Sequence, residues 1–528
     1  MRRIVLLTIV FIFSVSSWAQ VDDPSSDDDW WEGRVFYEIF VRSFYDSDGD
    51  GIGDFQGLIQ KLDYLNDGDP NTTDDLGITG IWLMPINPSP SYHGYDVTDY
   101  RAINPDYGTM ADFEAFLQAA HDRGIAVIMD MVLNHTSVEH EWFVQSRARV
   151  PTYADWYVWA DEDPGFRGPE NQVVWHRAGG RYYYGVFWSG MPDLNYNNPD
   201  VTAEMYDVSR FWLEEIGVDG FRLDAIKFVV EDGRILENSP LNREWLRAYH
   251  EYVQSVQPDT LLVGEVWTSS AQAAPYAGDM VDIVFEFDTA EAIIQGASFG
   301  IKSPIVNQLE LVLELYPPGQ YAPFLTNHDQ NRVMNQLSGN LDAAKAAASV
   351  YLMLPGTPFI YYGEEIGMTG TKPDEYIRTP MQWDSQQPNA GFTTGTPWIR
   401  LNADYADGIT VADQADDPNS LLNHYRALIH ARNATPALQT GNLVLLDNAS
   451  GNVLSFLRQT EEQTVLVIIN LRNREIDNYG ITLPEGYTQA SLLFGGDGEQ
   501  IAAPTSGERA YQPLDVLPGL EVLVIELR

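Results

Sequence analysis

Eight short apolar runs recur along the first 360 or so residues, and most are separated by segments patterned as helices. They are Val35–Val41, Gly80–Ile86, Ala126–Leu133, Gly220–Ile226, Leu261–Val266, Ile283–Phe287, Pro323–Thr326 and Phe359–Tyr362. Ala111–Arg123 and Val201–Ile216 are amphipathic connectors of helical period. Strand–helix alternation repeated eight times predicts a parallel sheet, and eight such units can close into a (β/α)8 barrel. The expected fold class is therefore α/β, a TIM barrel.

Two stretches break the alternation. From Asn134 to Val201 the chain is rich in Trp, Tyr, Gly and Pro. Loops of that length without structure of their own are uncommon, so a small inserted domain is expected after the third strand. Beyond about Thr435 the pattern changes to short alternating segments such as Asn452–Arg458, Thr464–Leu471 and Leu520–Leu527, which predict a C-terminal all-β sandwich. The expected layout is a signal peptide at 1–19, an acidic leader at 20–29, barrel at 30–134, inserted domain at 135–200, barrel again at 201–435, and the β domain at 436–528.

The signal peptide is read from Arg2 and Arg3, the apolar run Ile4–Val15, and Ser17-Trp18-Ala19 ending in a small residue. The run is short for a membrane span. Export, to the outside or to a periplasm where the source has one, is the resulting expectation. The chain has no cysteine, so its stability must come from its core and from any bound metal rather than from disulfides. Charge changes the picture further. The 76 acidic and 31 basic residues give −45, which repels nucleic acid and anionic membranes. Lysine occurs only at Lys61, Lys227, Lys302, Lys345 and Lys372, and such a surface suits life in salt. No partner chain is indicated, and a monomer is expected.

Polar residues cluster at the C-terminal ends of the apolar runs: Asn134-His135, Asp224, Glu265 and Asn327-His328-Asp329. Active sites of such barrels lie at that end. Arg222 and Asp224 are two apart on a strand and so face one side together. A neighbouring cation favours the ionised acid, which would keep Asp224 a carboxylate at neutral pH, as a nucleophile requires. A purely structural ion pair would look the same. Separately, Asp46-Ser-Asp48-Gly-Asp50-Gly-Ile-Gly-Asp54 alternates oxygen donors with glycines, a pattern that suits Ca²⁺. It is not an EF-hand, because Gly57 stands where that loop needs a bidentate Glu.

With these segments in order, the chain resembles the α-amylase family of glycoside hydrolases from Trp30 to its end. The carrying motifs are Asp130-Met-Val-Leu-Asn134-His135, Gly220-Phe-Arg-Leu-Asp224, Gly264-Glu265-Val-Trp267 and Asn327-His328-Asp329. The resemblance implies Asp224 as nucleophile, Glu265 as general acid and then base, and Asp329 as the third carboxylate that stabilises the transition state. It implies sugar contacts from Tyr95, His135, Arg222, Lys227, His328 and Arg378. It also implies one calcium held by the side chains of Asp46, Asp48, Asp50 and Asp54 with the backbone of Ile52. Asp130 lies within its apolar run and is expected to be a structural ion-pair partner.

Met191-Pro-Asp-Leu-Asn195 lies between the forms of oligo-1,6-glucosidases and neopullulanases, which places the chain in an intermediate group. Ala225, small after the proposed nucleophile, goes in that family with α-1,4 bonds. Phe228 stands where α-amylases often carry His. The expected activity is a secreted, endo-acting, retaining α-amylase on starch-like α-1,4-glucans. The alternative is an exported α-glucosidase or transglycosylase on short maltooligosaccharides. A noncatalytic, transporter-associated relative is disfavoured because all three acids are present.

Overall fold

A computed structural model describes residues 29–505 and 510–528. The N-terminal apolar run, and the acidic leader apart from Asp29, lie outside the described residues. The barrel strands are β1 Phe36–Ile39, β2 Gly80–Leu83, β3 Ala126–Met131, β4 Gly220–Leu223, β5 Leu261–Gly264, β6 Ile283–Phe285, β7 Tyr321–Ala322 and β8 Phe359–Tyr361. Adjacent members pair in parallel from β8 through β1 to β7. Two backbone hydrogen bonds join the outer pair and close the barrel: Thr357 N donates to Tyr321 O (3.2 Å) and Phe359 N to Pro323 O (3.0 Å).

Every residue of these strands is buried, because helices cover the outside and side chains fill the inside. That is why they read as mostly apolar runs, broken only by the buried Glu38, Asp130 and Arg222. Gly220 is required where β4 passes β5: a Cβ there would lie 2.1 Å from Leu261 O. The connecting helices start where the sequence caps them. Thr109 and Asp112 form a capping box at Met110–His121, and Asp54 caps Phe55–Leu65.

One strand differs from the sequence reading. The seventh was expected at Pro323–Thr326 and lies at Tyr321–Ala322. Pro323 has no N–H to give, so the ladder stops at it and 323–326 runs on as the loop that carries His328 and Asp329.

Between β3 and β4 the chain builds a helix, Glu141–Arg147, and a three-stranded antiparallel sheet from Trp159–Ala160, Arg181–Tyr184 and Trp175–Ala178. Its aromatic residues pack on one another, with Phe143 between Trp159 and Tyr183. A bridge from His135, just past β3, to Asp193 fastens it at the mouth of the barrel, and one from Tyr157 to Leu194 ties its own segments together.

The C-terminal unit is all-β. Its sheet orders β9 Asn442–Leu445, β10 Val453–Gln459, β11 Thr464–Asn470, β13 Val522–Leu527 and β12 Ala490–Phe494, all antiparallel. Among the described residues the covering layer consists of bridged segments, Ile476 with Leu517 and Ile481 with Tyr511, rather than a second regular sheet. One buried arginine of this unit, Arg458, ties it to the barrel, and a buried barrel arginine, Arg432, lies against the same stretch of carbonyls. Arg432 donates to Leu352 O, Leu354 O and Gly356 O, and Arg458 to Met353 O and Gly441 O. Both guanidinium groups thus meet the carbonyl end of helix Leu341–Met353, where a positive charge is favoured. Among the described residues no helix is long and apolar enough to cross a membrane.

Candidate active site

A cleft of about 580 Å³ opens beyond the C-terminal ends of the barrel strands, a size suited to a small ligand. Asp224, Glu265 and Asp329 border it together with Tyr95, His135, Lys227 and Arg378. Asp224 follows β4 and Glu265 follows β5, so strand register sets their relative height.

Beneath the acids lies Arg222, with no solvent exposure. Its Nη1 is 2.8 Å from both Asp130 Oδ1 and Asp224 Oδ1, and its Nη2 is 2.7 Å from Glu265 Oε2. One cation therefore serves three carboxylates. Asp224 is still a carboxylate at neutral pH, as expected, but Arg222 does not hold it at its ordinary value. Burial, with the charges of Asp130 and Asp329, outweighs Arg222 and pushes Asp224 up to about 6. Glu265 is raised as well, chiefly by burial and then by Asp224 and Asp329. Its Oε2 also accepts from Ala225 N at 3.0 Å. That contact is made possible by Ala225's left-handed backbone, φ 46° and ψ 41°, a conformation a non-glycine residue rarely adopts.

Asp329 is the opposite case. His328 Nε2 lies 3.1 Å from one of its oxygens, and Arg378 Nη2 donates to the other at 2.7 Å. These cations outweigh burial and hold Asp329 well below the usual carboxylate range. His328 is gripped on both nitrogens, with Glu38 Oε1 2.6 Å from Nδ1. Burial opposes its charge, but Asp329 and Glu38 lift it to about 10, so it is an imidazolium at neutral pH. His135 is neutral, because burial lowers it to about 3. Its Nε2 meets Tyr95 O at 3.1 Å. The Tyr95 hydroxyl sits between Asp130 Oδ2 (2.9 Å) and His328 Nε2 (2.7 Å).

Two expected sugar contacts lie elsewhere than expected. Arg222 and His328 have no exposed surface and stand behind the carboxylates, not at the cleft wall. Their chemistry reaches a ligand through Asp224, Glu265 and Asp329. Lys227 does face the cleft, with Nζ 3.1 Å from Glu237 Oε2 and 3.1 Å from Trp267 O. Asp130 is fully buried and paired with Arg222, as its place in the apolar run indicated.

Sequence reasoning missed Glu38, although it is the only acid in the run Val35–Val41 and that was a readable signal. It also missed Phe187 and Trp188, which line the cleft 39% and 50% exposed, and Glu170, Lys372 and Asp374 at its edge. These come from loops, where no periodicity marks them.

The acidic loop lies apart from this cleft. Asp46, Asp48 and Asp50 bring one carboxylate oxygen each to within 4.8 Å of one another. Among the described residues no lysine or arginine pairs with them. Burial raises Asp46, yet hydrogen bonds from Thr393, Gly49, Gly51 and Asp48 hold it below its usual value. Asp50 is raised by burial and then by Asp48 and Asp46. Clustered oxygens with no counter-charge fit a hard divalent cation. Asp54 differs from the expectation. Its carboxylate accepts from Ser47 N (2.8 Å) and Gly57 N (2.7 Å) as a helix cap, and it is not among the clustered three. Ile52 gives its N–H to Asp50 Oδ1 at 2.8 Å.

Compared with known proteins, residues 38–441 match the family described as alpha amylase, catalytic domain, and residues 444–528 match alpha amylase, C-terminal all-beta domain. Alpha-amylase 3 of Dictyoglomus thermophilum is 41% identical over 475 residues, covering 89% of this chain and 90% of that one. The oligo-1,6-glucosidase of Parageobacillus thermoglucosidasius is 33% identical over 524 residues, covering 84% and 91%. Among solved structures, the alpha-amylase from H.orenii superposes with a TM-score of 0.84 at 44% identity, covering 94% of this chain and 99% of that one.

Proposed function

The chain belongs to the α-amylase family of glycoside hydrolases, and from that premise we propose that it is a retaining, endo-acting α-amylase cleaving α-1,4 bonds in starch-like glucans. The observation that carries this reading is the trio Asp224, Glu265 and Asp329 on one cleft, with the first two held by the two terminal nitrogens of a single guanidinium. Retention requires two carboxyls only about 5 Å apart, and two acids within ion-pair reach of one guanidinium support that reading.

In the proposed mechanism Asp224 attacks the anomeric carbon while Glu265 protonates the departing glycosidic oxygen. Water, deprotonated by Glu265, then releases the glycosyl group from Asp224 with net retention. The raised Glu265 suits an acid that must hold its proton, and the lowered Asp329 stays anionic beside an oxocarbenium-like transition state. Tyr95 and His135 contact the sugar at the point of cleavage, and Arg378 and Lys227 contribute at its flanks. The exposed aromatic faces of Phe187, Trp188 and Trp267 offer stacking surfaces for further sugar rings, which favours a long substrate.

The second reading, an α-glucosidase or transglycosylase on short maltooligosaccharides, is favoured by Phe228. It packs edge-on against Phe187 at 5.7 Å within the cleft wall, where α-amylases often carry His. A time course on soluble starch separates the two. Endo attack drops viscosity before much reducing sugar appears. Release of glucose alone, with viscosity falling in proportion, would decide for the second reading.

The reading includes export, on the strength of the apolar run after Arg2 and Arg3, and calcium at the acidic loop. Asp46, Asp48 and Asp50 would hold the ion, which supplies structural charge neutralisation and takes no part in bond cleavage. It also includes salt adaptation, from the −45 net charge. EDTA should lower the melting temperature by several degrees while initial rates fall little, because a ligand bound only by the folded state stabilises it by mass action. With calcium saturating, the melting temperature should rise from low salt to about 1 M NaCl, as the Debye length shortens from about 30 Å to 3 Å. A melt unmoved by EDTA, with no metal found by elemental analysis, would dismiss the calcium site. A flat salt curve would dismiss the salt adaptation.

A further inference from the structure

Arg378 bonds to Asp329, yet it lies in a stretch, 377–387, with no helix or strand to hold it. Loops move more than the elements they join. An acid that must act on a transition state has to be held to within about half an ångström. Something outside this loop must therefore fasten Arg378.

Tyr361, Tyr362 and Arg332 hold the neighbouring carbonyls of Ile377 and Thr379, and Trp398 adds contacts that lead to Arg378 itself. The Trp398 main-chain N–H donates to Gly51 O in the acidic loop at 2.9 Å. Its indole Nε1–H donates to Ser43 Oγ at 3.0 Å, and the Ser43 hydroxyl donates to Arg378 O at 2.6 Å. The indole face stacks on Tyr92, with centroids 5.3 Å apart and planes at 23°. The Arg378 guanidinium lies over the other partner of that stack, 5.9 Å from the Tyr92 ring centre. Two routes thus leave Trp398 and meet again at Arg378. One ends on its backbone carbonyl and the other on its guanidinium.

Beyond Arg378 the connection is short. Nη2 donates to Asp329 Oδ1 at 2.7 Å, and Nε donates to His328 O at 2.9 Å. At the other end the anchor is firm. The Thr393 hydroxyl donates to Asp46, and Gly51 approaches Thr396 so closely that a Cβ would sit 1.9 Å from its carbonyl oxygen.

We infer that Trp398 is a positioning residue: it braces Arg378, and through it Asp329, against the acidic loop 46–54. It touches no substrate itself. The inference rests on the reading of Asp329 as the acid that stabilises the cationic transition state. A brace of this kind affects transition-state charge more than ground-state sugar binding.

The test uses the full chain with calcium saturating, and compares a protonated amino sugar, 1-deoxynojirimycin, with neutral maltose as inhibitors. Trp398→Phe keeps the ring stack but loses the indole N–H, and it avoids the cavity that Trp398→Ala would leave. It should weaken 1-deoxynojirimycin several-fold, move maltose less than twofold, and lower kcat several-fold with KM nearly constant. Ser43→Ala should do the same, and the double variant should be no worse than either alone, because both break one hydrogen-bonded chain. Equal changes for both inhibitors, or none for either, would overturn the brace even if the melting temperature falls. Asp329→Asn serves as the reference. If it leaves 1-deoxynojirimycin unaffected, the reading of Asp329 is wrong and the brace falls with it. If it weakens that inhibitor and Trp398→Phe does not, the brace alone is wrong.

Discussion

Asp224→Asn should lower kcat/KM on starch by at least two orders of magnitude and should raise, not lower, the melting temperature at pH 7. The first effect follows from losing the nucleophile: the amide keeps the shape but cannot form the glycosyl bond. Two orders of magnitude correspond to about 3 kcal/mol of transition-state stabilisation. The second follows from linkage. Asp224 is pushed up to about 6, chiefly by burial, whereas an unfolded aspartate ionises near 3.9. Between those values the folded chain holds the proton that the unfolded chain has released, so stability falls as pH rises through the window. Above it the whole cost is present. The neutral amide escapes that cost. Arg222 keeps Asp130 and Glu265 as partners, so it is not left as an unpaired buried charge. Melts at pH 7 and pH 4 check the sign: the variant's advantage should shrink at pH 4, where wild-type Asp224 is largely protonated. Residual activity above about 1% would remove Asp224 as the nucleophile.

Glu265→Gln should cost about 10²- to 10⁴-fold on starch, the usual range for losing a general acid–base. The loss should depend on the leaving group. An aryl glycoside with a strongly acidic phenol needs no proton to depart, so its first step should survive. Its second step, attack by water, should fail for want of a base, giving a burst of phenol followed by slow turnover. The pH profile makes a separate check. On the proposed mechanism activity needs Asp224 ionised and Glu265 protonated, so the acidic limb should lie near pH 6 and the alkaline limb should report the raised Glu265. The variant should keep the acidic limb and lose the alkaline one. A leaving-group-independent loss, or an alkaline limb that persists, would move the acid role to another residue.

Much of this protein could be read from its chain. Short, mostly apolar runs such as Val35–Val41 and Ala126–Leu133, repeated between helical segments, are the pattern of strands covered on both faces. Acids at their ends, at Asp224 and Glu265, must then gather at one end of the barrel. Reading failed where local signals were weak. Strand β7 is two residues long and ends at a proline, and the extent of an apolar run says little about where a ladder stops. Asp54 looks like another oxygen donor in an alternating series, yet it stands one residue before a helix, and capping claims its oxygens.

What the chain alone could not settle is how its charges divide. Local spacing pairs Arg222 with Asp224 and suggests an acid that is readily ionised. Folding brings Asp130 and Glu265, 92 and 43 residues away, onto the same guanidinium, and the acid rises instead. His328 and Asp329 are neighbours in sequence, but the charge on His328 depends on Glu38, 290 residues earlier, and Asp329 is held by Arg378 across a loop. Residue identity and short-range period are properties of the chain, so strands, caps and the roster of acids are legible in it. Protonation depends on burial and on every charge within a few ångströms, summed over elements that meet only after folding. The kinds of groups at this site therefore belong to the sequence, and their states to the tertiary structure.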